Sequence, residues 1–179
     1  MESETLFPDT PEAVMAQSEK AQFLETWERE YPVTLKVLRA YPAAKADLKP
    51  HEKARTAKDL AWTFVFEGVG GAQSVEGELK FPPPNMPPKP DTWEGVVAEC
   101  ERAFGGLGDR VRKVSDPQLN TTIKFFTGPK QMGDVRRLDF LWFLLMDMVH
   151  HRGQFSVYLR MAGGKVPSIY GPSADEPWM

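Results

Sequence analysis

Cysteine occurs once in these 179 residues, and histidine three times. A single cysteine excludes an intramolecular disulfide and any cysteine-built zinc cluster. There is no excess of positive charge: 22 Lys+Arg stand against 25 Asp+Glu, a net of −3, so no bulk attraction to nucleic acid or anionic lipid is expected. No apolar run approaches the length that spans a bilayer. The first residues, MESETLFPDTPEAV, lack the basic-then-apolar order of a secretory signal, and the expected setting is the cytoplasm. What remains is a soluble globular composition, 41% hydrophobic and 26% charged, of a length that suits one domain with a sizeable core.

Residues 1–17 read as an N-terminal arm, with Thr10 and Pro11 able to start a helix. Residues 18–179 read as one domain. From Ser18 the spacing of Phe23, Leu24, Trp27, Tyr31, Leu35 and Leu38 predicts a helix, which Pro32 should kink or split. Thr56 with Asp59 three residues on predicts the start of a second helix, ending at Gly68-Val69-Gly70-Gly71. The proline-rich stretch FPPPNMPPKP predicts an extended linker that carries the chain from one end of the molecule to the other. Asp91-Thr92-Trp93-Glu94 starts a third helix, with Asp91 as the cap; Gly105, Gly106 and Gly108 inside it suggest close packing or a break. Residues 116–137 predict an excursion with a short hairpin. A fourth long helix runs from about Leu138 to Ala162, stopped by Gly163-Gly164 and followed by a coil tail that its aromatic residues could dock. Four long helices without a βαβ alternation predict an all-α antiparallel four-helix bundle with long connections.

Chemistry concentrates in MDMVHHRGQ, residues 146–154. Phe140, Leu144, Asp147, His151, Gln154 and Tyr158 recur at steps of three and four and share one helix face. A carboxylate and an imidazole one turn apart can aim at a single divalent ion. They can equally bond each other or a neighbouring helix, a structural role. His150 is turned about 100° from His151 by the helical step. Neither a phosphate loop nor a nucleophile–histidine arrangement is present. Trp27, Trp62, Trp93 and Trp142 have no basic residues interleaved, and read as core. The pairs Arg136-Arg137 and Arg110/Arg112 read as solvated charges or partners of nearby acids.

The run HHRGQFSVYLRMAGGKVPSIYGPS resembles the C-terminal signature of the DinB-like (DinB/YfiT) superfamily. WEREYPVTLKVLRAYP, RTAKDLAWTFVFE and DTWEGVVAE extend the resemblance over about residues 19–175. The resemblance implies a four-helix bundle, a homodimer, and a divalent-metal centre of three histidines, one from the second helix and two, four apart, from the fourth. It also implies a metal-dependent hydrolase or a transferase using a low-molecular-weight thiol. Here His151 fills one ligand position, Asp147 stands four residues before it, and Thr63 stands where the second helix would supply histidine. Glu67, one turn beyond Thr63, faces the same way and can substitute. His51 does not match a ligand position. The expected centre is thus Glu67, Asp147 and His151 with Thr63 beside them, a degraded site holding zinc or nickel weakly or not at all. His150 would be an outer partner or proton carrier. The alternative is a non-catalytic bundle without metal that binds a small molecule or a second copy of itself.

Overall fold

The computed structural model describes residues 17–179; the helix start at Thr10-Pro11 falls outside them. In chain order the elements are α1 (Glu19–Arg39), a 3-10 turn (Ala43–Lys45), α2 (Ala57–Glu76), α3 (Trp93–Lys113), α4 (Asp116–Leu119), β1 (Thr122–Gly128), β2 (Gln131–Arg136) and α5 (Arg137–Met161). α2 packs on α3 and α5, and α1 packs on both α3 and α5. The fold is mostly helical, and the strict all-α expectation gives way to a small antiparallel sheet of β1 and β2.

The helix starts follow their sequence signals. The hydroxyl oxygens of Ser18, Thr56 and Thr92 accept from Ala21, Asp59 and Gly95 N–H respectively. The third cap is thus Thr92 rather than Asp91, because the hydroxyl reaches the orphan amide three residues on. α1 runs through Pro32 as one helix: Phe23 and Trp27 before it and Leu35 and Leu38 after it are all buried, and that packing outweighs the missing hydrogen bond. α2 does not end at its glycines. A Cβ on Gly68 would lie 2.8 Å from Ala103 Cβ and 2.9 Å from the Ala103 backbone, and one on Gly71 would lie 2.8 Å from Leu107 Cδ2. These glycines let α3 approach, so they serve packing rather than termination. α3 likewise continues through Gly105, Gly106 and Gly108 without a break.

The proline-rich linker runs back along α2. Lys80 N–H donates to Gln73 Oε1 (3.2 Å) near the end of α2, and Lys89 pairs with Asp59 near its start. Arg137, read as a surface charge, is buried instead. It donates to the carbonyls of Ser74 and Gly77 (2.6 Å to the latter) and to Thr121 Oγ1 (2.8 Å). Its guanidinium therefore satisfies carbonyls at the end of α2. Arg136 keeps the expected role, pairing with Glu19 and Asp139.

Gly163, at φ 80°, ends α5 as its position predicts. The tail is then held by Arg160–Asp175 (2.6 Å) and Lys36–Glu176 (2.9 Å). It is also held by Tyr170, whose hydroxyl reaches the buried Glu30–Arg152 pair. Among the described residues no helix is long and apolar enough to cross a membrane.

Candidate metal centre and its cavity

The contact between α2 and α5 brings together Glu67, Asp147 and His151, each offering a ligand atom within 4.8 Å of the others. His151 Nδ1 lies 2.8 Å from Glu67 Oε1 and 3.7 Å from Asp147 Oδ2. The His151 ring is fixed edge-on against Phe64, centroids 6.2 Å apart at 89°. Exposure grades outward across the three, 2% for the Glu67 side chain, 14% for His151 and 33% for Asp147. Glu67 Oε2 is buried and has no hydrogen-bond partner. Such an orphan costs about 1–3 kcal/mol, and few occur in a native structure.

Burial pushes the Glu67 carboxyl up to about 7, although the bond to His151 opposes the rise. That same bond holds His151 above its ordinary value, against its own desolvation. The two side chains meet along the Nδ1–Oε1 line, and an ion held by both would take the place of that contact.

Thr63 lines the same cavity, but its hydroxyl is engaged elsewhere. It accepts from Arg55 Nη1 (2.6 Å) and donates to the Asp59 carbonyl (3.4 Å). His150 is exposed, and its Nε2 accepts from the amide of Gln154 (2.9 Å). Gln154 is thereby drawn outward rather than toward the three donors. Tyr158 is buried and donates to the Arg55 carbonyl (3.0 Å). His51 accepts from the Lys53 N–H in the loop before α2. Cys100 is buried against the Ala61 carbonyl, and burial pushes its thiol up, so it is no nucleophile.

A cavity of about 470 Å³ opens beside the three donors, within the range of small-molecule sites. Its walls are aromatic. Phe66 stacks with Phe81 (6.1 Å), and Phe125, carried by β1, meets Phe140 (4.6 Å) and Phe143 (5.6 Å) of α5. The sequence pointed to Glu67, Asp147 and His151, which the fold brings together, but not to this wall: the hairpin was legible, its seat against α5 was not. Arg55, which opens the RTAKDLAWTFVFE segment beside the Thr56 cap, was passed over as well. A larger cavity, about 600 Å³, lies between α2, α3 and the linker. Of its charged residues Glu76 pairs with Arg110 and Glu99 with Arg102, whereas the smaller cavity is the one lined by Glu67, Asp147 and His151 together.

The DinB family profile matches residues 15–178. The Bacillus subtilis protein YrdA, uncharacterised, is 28% identical over 156 residues, covering 86% of this chain and 89% of the relative. Two crystal structures share the fold. A DinB-like protein from Bacillus subtilis (YjoA) superposes with TM-score 0.68 at 18% identity, covering 83% of this chain and 97% of that one. A DinB-like protein from Bacillus cereus gives 0.65 at 25% identity, covering 83% and 95%. With its profile match spanning nearly the whole length, the chain belongs to the DinB family.

Proposed function

We propose that Glu67, Asp147 and His151 hold a divalent ion, and that the adjoining cavity presents a small molecule to it for hydrolysis or for transfer to a low-molecular-weight thiol. The observation that carries this reading is the unpartnered, buried Glu67 Oε2 beside two further donors. A buried oxygen without a partner calls for an explanation, and an ion shared with the two neighbouring side chains supplies one. Two carboxylates and one imidazole suit zinc or nickel but bind less tightly than three imidazoles, and harder ions such as manganese compete. When bound, such an ion supplies Lewis acidity to a water or thiol. The chain's own residues do the rest. Phe64 fixes the His151 ring, the aromatic wall excludes water, and Asp147, the most exposed donor, faces the entering molecule. His150, hydrogen-bonded to Gln154 at the surface, is placed to carry protons outward.

A metal-free binding role is favoured by one observation: the 2.8 Å contact between His151 and Glu67 already closes without an ion. Elemental analysis of protein purified without chelator separates the two. About one equivalent of zinc, nickel or manganese supports the metal centre. Metal-free protein whose melting temperature ignores all three ions supports the binding role.

The same proposal includes an antiparallel four-helix arrangement, a homodimer and a cytoplasmic setting, with no nucleic-acid partner. Light scattering of the purified chain tests the dimer, which predicts twice the 20.2 kDa chain mass.

A further inference from the structure

Arg55 lines the cavity that holds Glu67, Asp147 and His151, and it makes no ion pair among the described residues. The acid one turn along, Asp59, is occupied by Lys89 and by the Thr56 hydroxyl. Yet Arg55 is held in place twice. Its carbonyl accepts from Tyr158 on α5 (3.0 Å), and its Nη1 donates to Thr63 (2.6 Å), whose own hydroxyl proton goes to the Asp59 carbonyl (3.4 Å). A fixed guanidinium with donors to spare is the usual recognition element for a carboxylate. The same cavity is lined by the rings of Phe66, Phe81, Phe125, Phe140 and Phe143.

We propose that this cavity takes a small molecule joining an aromatic or branched apolar body to a carboxylate, selected by Arg55 with Thr63 as the residue that positions it. The inference rests on the reading of this cavity as a ligand site, but not on a metal being held. It also gives Thr63 a purpose. At a position where the resemblance calls for a histidine ligand, this chain has a hydroxyl that orients a cation.

Calorimetric titration of chelator-treated protein with 3-phenylpropionate, 3-phenylpropanamide and propionate tests it. Saturable binding of 3-phenylpropionate is expected, with the neutral amide and the ring-less propionate each weaker by about tenfold or more, the loss of one charge-assisted bond or one buried ring. Arg55→Met should bring the carboxylate down to the level of the amide and leave the amide unchanged. Thr63→Val should weaken 3-phenylpropionate alone. His151→Ala, which removes a proposed metal ligand, should keep the preference for the carboxylate, so failure of the metal centre and failure of this inference are read separately. Both substitutions at Arg55 and Thr63 fall on residues outside the buried core, and a melting curve verifies the fold. Equal affinity for acid and amide, an Arg55→Met variant that still prefers the acid, or no saturable binding overturns the proposal.

Discussion

Glu67 Oε1 sits 2.8 Å from His151 Nδ1 across the contact between α2 and α5, while Glu67 Oε2 is buried without a hydrogen-bond partner. A carboxylate in that position does little for the fold, because its desolvation cost offsets the bond it makes. Glu67→Met keeps the volume and removes the orphan. The metal-free variant is expected to match the parent within about 1 kcal/mol in denaturant unfolding. His151 stays within 3.7 Å of Asp147 and is not stranded. A loss of 3 kcal/mol or more, the scale for breaking a required buried pair, would make Glu67 a structural residue.

The second buried ionic pair behaves oppositely. Glu30 and Arg152, 5% and 2% exposed, meet at 2.8 Å, and Tyr170 closes over them with its ring 5.0 Å from the Arg152 guanidinium carbon. Burial works against ionised Glu30, but the Tyr170 hydroxyl and Arg152 outweigh it and hold the carboxyl below its ordinary 4.5. An acid depressed on folding contributes stability that is fully present above 4.5 and drains as pH falls through the lower folded value. Glu30→Gln leaves Arg152 buried without its counter-charge and is expected to cost about 3 kcal/mol at neutral pH. Below pH 4.5 the gap in melting temperature between parent and variant should narrow. A gap that widens on acidification contradicts the assignment.

Two glycines in paired helices should respond in opposite directions to alanine. Gly68→Ala drives a Cβ into the Ala103 backbone, and overpacking of about 1–3 kcal/mol exceeds the roughly 1 kcal/mol that alanine gains in a helix. Gly105 has open space around its would-be Cβ, so Gly105→Ala should stabilise by up to about 1 kcal/mol. Thermal unfolding of the two variants measures the signs directly.

These examples show which parts of the fold and site local sequence could carry. Caps at Thr56, the stop at Gly163 and the hairpin before α5 depend on neighbours a few residues away, and all were legible. The one-turn spacing of Asp147 and His151, and of Thr63 and Glu67, likewise put the right side chains on the right faces. Gly68 and Gly71 read as terminators because their role depends on Ala103 and Leu107, more than thirty residues distant. Arg137 looked solvated because the carbonyls it serves belong to the end of α2. The Arg55–Thr63 hydrogen bond was not legible, because it joins residues eight apart across the start of α2. The aromatic wall was invisible for the same reason: Phe81 and Phe125 meet only once the linker and hairpin fold over α2 and α5.

The most direct test of the account is calorimetric titration of zinc, nickel and manganese into chelator-treated protein and into its Glu67→Met and His151→Ala variants. The account predicts saturable uptake of about one ion per chain by the parent and none by either variant. Equal uptake by all three proteins, or none by the parent, would contradict it.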